Sequence, residues 1–293
     1  MRKKILVTGA SGFIGSLLVP QFSEHFDMVP TKVRLENVDH IAMNDIDCVI
    51  HLAGLAHQSK ATPDDAYYNA NYLLTKKLAD NALNAGVKQF IYLSSSKVFG
   101  ESAHETIYDE KTICDPQDPY GKSKLMAENY LNDLAQSSNA FHVAIIRPPL
   151  VYGPGAKGNL LALMKLVEKH SLLPLGGIDN HRSMVSINNL IALIKLLIDE
   201  SAQGTYLISD NKDSSTSELV KLIAKQFDKR TRVFKMPALL RLLLQRVKPA
   251  LMMRLYDSFV TVPSSNLATL GFQQASTYED GVADMVHAYL QKK

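Results

Sequence analysis

The stretch KILVTGASGFIG, residues 4–15, decides how the rest of the chain is arranged. Its first five residues form the β-branched and aliphatic run that is typical of a strand buried on both faces of a parallel sheet. Three glycines follow, and an apolar pattern with helical spacing continues to Phe22. The turn therefore joins a strand to a helix, which is the context that gives a glycine motif its meaning.

Each of the three glycines has a separate use in such a turn. The first makes the tight turn, the second lets backbone N–H groups approach a pyrophosphate, and the third lets the helix pack close to the strand. The helix N-terminus also offers unpaired N–H groups to an anion. A plain strand-turn-helix corner is the alternative interpretation, but the residues between the glycines favour a nucleotide site. The predicted cofactor contacts in this stretch are Gly9, Ser11, Gly12, Phe13, Ile14 and Gly15.

A second strand is predicted at residues 28–33, and its end bears on the choice of cofactor. A dinucleotide site normally has an acidic residue there to bind the ribose hydroxyls. Here Lys32 and Arg34 occupy the strand end, and the first carboxylate is Glu36. Cationic side chains suit a 2′-phosphate, so the sequence slightly favours NADP(H) over NAD. Ordinary exposed charges at a strand end are the alternative.

Composition limits the class of protein. The 293 residues are 46% hydrophobic, enough for a dinucleotide-binding sheet with a smaller appended part. The net charge is +3 with both signs interspersed, so we expect no nucleic-acid partner. Cys48 and Cys114 lack metal-type spacing, and no metal is expected. The first strand leaves no room for a signal peptide, and no apolar run approaches the ~20 residues of a membrane span. We therefore expect a cytoplasmic protein.

Two further segments are predicted to approach the cofactor. A third strand at residues 48–52 ends in Leu52-Ala53-Gly54, where small residues permit close contact between backbone and cofactor. A long helix follows from Pro63 to Ala85. Asn71 lies within this helix and is expected to support the active site, with an ordinary surface asparagine as the alternative.

The most informative side chains follow the fourth predicted strand, residues 89–93. Ser94, Ser95 and Ser96 stand at its carboxyl end, where ligands collect in an open parallel sheet. A helix predicted over residues 120–135 begins with Tyr120, and Lys124 shares its face one turn later. A nearby ammonium favours the phenolate of a tyrosine, whose pKa is otherwise about 10. Such a tyrosine exchanges protons with a sugar hydroxyl, and Ser95 is placed to hydrogen-bond the same oxygen.

The same Tyr-x-x-x-Lys spacing occurs a second time, at Tyr72 and Lys76. This second pair lies in the middle of a predicted helix and follows no serine cluster. We interpret it as surface decoration, because only Tyr120 and Lys124 begin a helix after a strand that ends in serines.

Several motifs in the right order now resemble one family. It comprises the extended short-chain dehydrogenases/reductases of the NAD-dependent epimerase/dehydratase type, which act on nucleotide sugars. The matching motifs are TGASGFIG at residues 8–15, HLAG at 51–54, SSSKVFG at 94–100, YGKSK at 120–124 and RPPLVYGPG at 147–155. The resemblance covers nearly the whole chain and implies an enzyme.

The resemblance also implies roles for individual residues. Tyr120 is the catalytic acid/base, Lys124 orients the ribose and tunes Tyr120, and Ser95 is the third catalytic member because it stands three residues before Val98. The positions expected to line the nicotinamide are Pro148 and Val151. Those expected to meet substrate are Ser96, Asn159 and Arg182, the arginine clamping the diphosphate with its planar fork of donors.

Details of the motifs resemble the subgroup that handles UDP-N-acetylhexosamines and their 4-keto derivatives. His57 follows HLAG and either touches substrate or is an ordinary loop residue. The family often has His and paired Asp where this chain has Ser186, Asn188 and Asn189. These positions mostly support the fold, so the departure leaves the predicted chemistry in place.

The C-terminal third predicts a small cap. Residues 237–247 combine leucines at 239, 240, 242, 243 and 244 with Arg241 and Arg246. A basic interfacial helix on a membrane is one interpretation. We favour a buried cap or subunit helix, because the cap has to build its own core. A capping box is predicted at Ser215 and Glu218.

Together these patterns predict an α/β fold, a Rossmann-type doubly wound parallel sheet with a small C-terminal α/β substrate-binding cap. The dinucleotide-binding domain is expected at 1–155, with a return at 183–212, and the cap at 156–182 and 213–293. The expected activity is hydride transfer at C4 of a nucleotide-diphosphate sugar, first as a 4-ketoreductase with NADPH. The alternatives are a 4-epimerase with tightly bound NAD and a regulator without chemistry. A homodimer is possible.

Overall fold

The computed structural model describes residues 2–56, 62–100 and 107–292. The strands are β1 Lys4–Thr8, β2 Asp27–Thr31, β3 Cys48–His51, β4 Gln89–Leu93, β5 Ile107–Tyr108, β6 His142–Arg147, β7 Leu150–Tyr152, β8 Leu172–Gly176, β9 Met184–Ser186, β10 Gly204–Leu207, β11 Arg232–Lys235 and β12 Val260–Thr261. The α-helices are α1 Gly15–Phe22, α2 Asp64–Tyr67, α3 Leu74–Asn84, α4 Pro119–Gln136, α5 Gly158–Lys169, α6 Ile187–Asp199, α7 Thr216–Gln226, α8 Ala238–Val247, α9 Pro249–Tyr256, α10 Ser265–Thr269 and α11 Tyr278–Leu290. Short 3₁₀ helices span Val38–His40 and Ser96–Phe99.

Six parallel strands form the central sheet, in the order β10-β6-β4-β3-β1-β2. Successive residues of a strand point to opposite faces of the sheet. Ile5 therefore packs into one apolar cluster with Leu18 of α1 and Leu190 of α6, whereas Leu6 packs into another with Leu78 of α3. Helices on both faces of a parallel sheet confirm the predicted doubly wound α/β fold.

The strand β10 returns the chain to the main sheet, where it pairs with β6. A separate apolar cluster joins α5, β8, α7 and α11, and it contains Leu160, Val220 and Val282. Two small pairs, β8 with β11 and β7 with β9, lie outside the main sheet. The division into a dinucleotide-binding domain and a cap is consistent with these clusters and stays a prediction.

The predicted helix from Pro63 to Ala85 is interrupted. A π-helical stretch, Tyr68–Leu73, separates α2 from α3. Such wide turns occur often at functional sites, because the extra residue changes the direction of the side chains around it. The capping box at Ser215 and Glu218 is present at the start of α7, as predicted.

The prediction that the leucine-rich helix is buried in the cap is wrong, whereas its alternative as a subunit helix stays a prediction. No residue of α8 is buried, and Leu239 is 84% exposed. The guanidinium of Arg241 lies 4.5 Å from the centroid of the Tyr256 ring in α9. The helix therefore turns a cationic side chain toward its own chain and leaves its leucines in solvent. In the described part of the protein, no helix has both the length and the apolar character to cross a bilayer.

Candidate active site

The glycine turn after β1 lies directly against the end of β3. Gly9 has a φ of +72°, a region that favours glycine, and a Cβ there would come within 2.7 Å of the Ala53 nitrogen. A Cβ on Gly15 would come within 2.4 Å of the Gly9 carbonyl oxygen. Ile14 precedes α1 and provides no side-chain cap for its N-terminus. The close packing foreseen for these glycines is therefore present, and the helix start suits an anion.

A hydrogen-bonded chain beneath this turn was not foreseen from the sequence. The Ala53 N–H donates to Thr8 Oγ1 (3.3 Å), and Thr8 Oγ1 lies 2.6 Å from His51 Nδ1. His51 Nε2 lies 3.0 Å from Thr75 Oγ1, which donates to the Asn71 carbonyl at 2.6 Å. Because the Thr75 proton is used in that last bond, Nε2 carries the imidazole proton and Nδ1 accepts from Thr8.

His51 is neutral in this chain of bonds. It is fully buried, and burial together with the nearby Lys124 ammonium lowers its pKa to about 3. The residue therefore serves as a fixed link between the glycine turn and the helix that follows β3. No local pattern identifies such a link, because its two threonine partners lie 43 and 24 residues away.

Asn71 lies in the π-helical stretch and is fully buried. Its Oδ1 accepts from the Leu55 N–H (2.8 Å), and its Nδ2 donates to the Leu55 carbonyl (3.1 Å) and to Ser123 Oγ (3.0 Å). Asn71 thus connects the backbone after β3 to α4. Its partner in α4, Ser123, lies between Tyr120 and Lys124 in the sequence. Asn71 is therefore not a surface asparagine, and its role at the cofactor site stays a prediction.

The structure brings Ser95 and Tyr120 together. Ser95 caps the 3₁₀ helix at the end of β4 by accepting from the Lys97 N–H at 3.2 Å. Its hydroxyl also lies near enough to the Tyr120 phenol, in the first turn of α4, to act on the pKa of that phenol. That turn begins at Asp118, whose side chain accepts from the Gly121 N–H at 3.0 Å.

Lys124 is buried beside the same strand end. It is 5% exposed, and its Nζ donates to the Leu93 carbonyl at 2.8 Å and lies 4.7 Å from the centroid of the Tyr92 ring. A Cβ on Gly54 would come within 3.3 Å of this Nζ and within 2.8 Å of Asn71 Oδ1. The absence of a side chain at Gly54 therefore makes room for the Lys124 ammonium. Burial lowers the pKa of Lys124 to about 8, and only the Glu128 carboxylate opposes this shift.

The phenol differs from the sequence expectation. Burial raises the pKa of Tyr120, the Ser95 hydroxyl opposes that shift, and Asp118 and Tyr67 add to it. The expectation was a pKa lowered by Lys124 together with a cationic nicotinamide, and the chain alone does not test the contribution of the nicotinamide. The protein by itself therefore keeps this tyrosine protonated, because desolvation outweighs the effect of Ser95.

Ser94 has a different task from its neighbour. It donates to Glu128 Oε1, and Arg147 of β6 forms a two-pronged ion pair with the same carboxylate, with Nη2 to Oε2 at 2.6 Å. Glu128 is 1% exposed and Arg147 12%. The Glu128 carboxylate therefore holds α4 against the ends of β4 and β6. Because Ser94 is used in this contact, Ser95 is the serine that lies near the phenol. Glu128 and Arg147 are 19 residues apart and no motif contains both, so the sequence did not indicate this ion pair.

The remaining predicted cofactor residues lie along the same edge or beyond it. Pro148 is buried and its carbonyl accepts from the Ser96 N–H at 2.9 Å, while Val151 lies in β7. Ser96 is also buried, at 3% exposure. Lys32 and Arg34 are exposed just after β2, which ends at Thr31 and not at residue 33. His57 lies outside the described residues.

Two of the three predicted substrate residues, Asn159 and Arg182, are connected by an arginine that sequence reasoning missed. Arg182 Nη1 donates to the carbonyl of Arg254 at 2.8 Å, and Arg254 Nη1 donates to Asn159 Oδ1 at 3.4 Å. Asn159 stands in the first turn of α5, and Arg254 in the last turn of α9. Arg254 stands in a leucine-rich stretch without a motif, so no local signal pointed to it.

The positions where the chain departs from the family pattern support the fold. Asn189 Nδ2 donates to the buried Asp210 at 2.7 Å, and its Oδ1 accepts from the Ala275 N–H at 2.7 Å. Tyr152 donates to the same carboxylate at 2.5 Å. In the described ranges, no group of three His, Cys, Asp or Glu residues is arranged to bind a metal.

The second Tyr-x-x-x-Lys pair is not surface decoration. Lys76 Nζ donates to Tyr130 Oη of α4 at 2.8 Å and to Asp80 at 3.0 Å. Tyr72 packs edge-on against the Tyr130 ring, with centroids 6.5 Å apart. The pair therefore joins α3 and the π-helical stretch to α4, on the side away from the serine cluster.

The sequence profile of the NAD dependent epimerase/dehydratase family matches residues 5–209. The chain belongs to this family. It is 36% identical to the UDP-glucose 4-epimerase of Vibrio cholerae, over 99% of this chain and 97% of that protein. It is 27% identical to the GDP-6-deoxy-D-mannose reductase of Pseudomonas aeruginosa, over 88% of this chain and 91% of that protein.

A solved structure shows the same fold over the full chain. The UDP-N-acetylglucosamine 4-epimerase from Methanobrevibacter ruminantium M1, in complex with UDP-N-acetylmuramic acid, matches with a TM-score of 0.81. The match covers 100% of this chain and 99% of that chain, at 19% sequence identity. The predicted family and the predicted Rossmann-type fold are confirmed.

Membership of the NAD dependent epimerase/dehydratase family makes this protein an enzyme of the nucleotide-sugar epimerase or reductase type that uses a nicotinamide cofactor. The alternative of a regulator without chemistry is set aside. The residues present fit such a cofactor: the glycine turn presents an α-helix start without a side-chain cap, and the space beside Gly54 holds a buried ammonium.

Proposed function

We propose that this enzyme is a 4-epimerase of nucleotide-diphosphate sugars and uses bound NAD. The observation that carries the proposal is the placement of Ser95 near the Tyr120 phenol at the carboxyl edge of the sheet, with the buried Lys124 one helical turn away. The 36% identity to a UDP-glucose 4-epimerase over the full chain supports C4 as the reacting carbon and UDP as the nucleotide. The sequence itself favoured a 4-ketoreductase over a 4-epimerase. The identity to this relative leads us to place the 4-epimerase first.

The proposed chemistry assigns one task to each residue. Tyr120 takes the proton from the C4 hydroxyl as hydride leaves the same carbon, and it returns that proton when hydride comes back to the opposite face. Ser95 donates a hydrogen bond to the same sugar oxygen, and Lys124 binds the ribose. NAD, when bound, accepts the hydride and adds a positive charge beside the phenol.

The raised pKa of Tyr120 is consistent with this division of labour. Burial keeps the phenol protonated in the protein alone, so a proton-accepting phenolate requires more positive charge than Lys124 provides. Acid/base chemistry at Tyr120 is therefore coupled to occupation of the cofactor site. That coupling limits proton transfer to the complex in which hydride transfer is possible.

The binding residues follow from their places in the structure. We propose that the glycine-turn residues 9–15 bind the pyrophosphate, and that Leu52, Ala53, Gly54, Pro148 and Val151 lie along the cofactor. We propose that Ser96, Asn159 and Arg182 contact substrate, with Arg254 joining the last two at the diphosphate.

A 4-ketoreductase is the second candidate, because Lys32 and Arg34 are exposed beyond β2, where a 2′-phosphate would bind. Both cations are free to turn toward that phosphate, which favours NADPH. The relative that is named a reductase supports this candidate.

One incubation separates the two candidates. Purified enzyme is mixed with UDP-glucose or UDP-N-acetylglucosamine without added cofactor, and the products are resolved by chromatography and NMR. The proposal predicts the C4 epimer, and the Tyr120→Phe variant yields none. If no epimer forms and turnover needs both a 4-keto sugar and NADPH, the enzyme is a reductase and the first proposal is wrong.

A further inference from the structure

The segment from residue 229 to residue 256 has an unusual charge. Its 28 residues contain eight Lys or Arg and no Asp or Glu. Because the whole chain carries +3, the other 265 residues carry a net −5. The positive charge is therefore concentrated in one segment, which also contains the leucine-rich helix α8 and the helix α9 that follows it.

The outer face of α8 is apolar. Leu239, Leu242, Leu243 and Val247 have the spacing of one helical face and are 59–84% exposed. Arg246 stands on the same face, where its long side chain reaches outward beyond the apolar stripe. Phe234, on the neighbouring β11, is 40% exposed as well. We call these five apolar side chains, together with the exposed cations Arg230, Arg232, Lys235, Arg246 and Lys248, the basic leucine surface.

The fold holds this surface in a fixed place. Met252 of α9 is 3% exposed, and the carbonyl of Leu255 accepts from Thr216 Oγ1 at 2.8 Å. The Arg182–Arg254 bond attaches α9 to the cap as well. Arg241 then fastens α8 to α9 through the Tyr256 ring. The leucines therefore project from an anchored pair of helices.

We propose that the basic leucine surface docks onto an anionic lipid bilayer. Apolar side chains on one helical face beside many cations are what an interfacial helix needs, because the leucines enter the acyl boundary while Lys and Arg meet the headgroups. The two features occur here on the same exposed element. The enzyme would lie on the membrane surface and would not cross it.

The charge argues against other occupants. A two-fold interface between copies of this chain, centred on α8, would bring the same cationic segment against itself with no acidic residue to pair with it. A nucleic acid would match the charge but would leave the leucines in water. An anionic bilayer satisfies both the charge and the apolar stripe.

The test is sedimentation of the full-length enzyme with vesicles. We expect it to pellet with vesicles containing phosphatidylglycerol, to stay in solution with pure phosphatidylcholine, and to be released as NaCl is raised. The Tyr120→Phe variant should pellet like the unaltered enzyme, so the result does not depend on the proposed activity. Equal behaviour with both lipids, or no pelleting at low salt, overturns the proposal.

Matched variants locate the contact. Replacing Leu239, Leu242 and Leu243 by Ser should abolish pelleting, and Arg246→Gln with Lys248→Gln should weaken it by about fivefold for each charge removed. The controls are Ile113→Ser, which changes another exposed apolar side chain, and Lys88→Gln with Lys122→Gln. Circular dichroism and size-exclusion chromatography with light scattering accompany each variant. Unchanged pelleting of the folded triple variant contradicts the proposal, and so does a triple variant that only converts a dimer to monomers.

Discussion

The two Tyr-x-x-x-Lys pairs of this chain have the same spacing but different surroundings. Lys124 is 5% exposed and donates to a backbone carbonyl, whereas the side chain of Lys76 is 36% exposed and donates to Asp80 and Tyr130. Burial lowers the pKa of Lys124 to about 8, while its two hydrogen-bond partners raise the pKa of Lys76. The spacing brings two side chains to one face of a helix, and the surroundings decide their chemistry.

The largest expected difference between the pairs is in turnover by tyrosine variants. Tyr120→Phe removes the proposed proton carrier, so we expect kcat/KM to fall by about 10³-fold or more. Tyr72→Phe should stay within about twofold of the unaltered enzyme. Nicotinamide fluorescence on binding serves as the folding control for both variants. Equal activity of the two variants would remove Tyr120 from the mechanism.

The second-largest difference is expected between the kcat/KM values of the two lysine variants. Lys124→Met keeps the buried volume but removes the ammonium that we propose binds the ribose, so we expect a loss of about 10²-fold in kcat/KM. Lys76→Met removes a contact between helices far from the serine cluster and should leave kcat/KM unchanged. Steady-state kinetics of both variants with the same substrate checks this. A comparable loss in Lys76→Met would show that the second pair also acts in the reaction.

The pH dependence of stability should separate the two lysines without any assay of activity. The pKa of Lys124 is about 8 in the folded chain and about 10.4 when unfolded, so the unfolded state binds more protons between these values. The free energy of unfolding of the unaltered enzyme should rise relative to Lys124→Met by about 1.5 kcal/mol from pH 8 to 9.5.

Lys76 has the opposite shift, so its contribution is complete below its unfolded pKa and is lost only above that value. The difference between the unaltered enzyme and Lys76→Met should therefore be flat from pH 8 to 9.5. Urea unfolding at three pH values, without added cofactor, measures both differences. A flat difference for Lys124→Met would mean that its ammonium is solvated.

The smallest effect is expected from Asp80→Asn. It removes a half-exposed carboxylate that accepts from Lys76 and Tyr130, so we expect a loss of about 0.5–1 kcal/mol in the free energy of unfolding. Activity should not change. The urea midpoint and kcat/KM of the same preparation provide both readings, and a fall in activity would connect the second pair to the site.

Much of the fold was predictable because buried parallel strands are continuous apolar runs. The four inner strands of the central sheet, β1, β3, β4 and β6, lie where such runs occur, and the turn after β1 was identified from its glycines. The short strands of two or three residues, such as β5 and β12, were not predicted. They consist of pairings between segments about 150 residues apart, which no local pattern contains.

The candidate site divides in the same way. Ser95, Tyr120 and Lys124 were identified because each stands at a strand end or a helix start. The link through His51, the Glu128–Arg147 ion pair and the contact of Arg254 with Asn159 were not, because each joins distant segments. The raised pKa of Tyr120 in the chain alone was not predicted, because desolvation depends on neighbours that only the folded chain supplies.

By itself, the sequence determined the family, the positions of the inner sheet strands and the residues from which a site could be built, because these depend on side-chain type and spacing along the chain. The tertiary structure decided how deeply Lys124 is buried, which partners Lys76 has and which face of α8 remains in solvent. The reason is that burial and charge pairing arise from contacts between residues far apart in sequence, and these set the cost of holding a charge or an apolar surface in place.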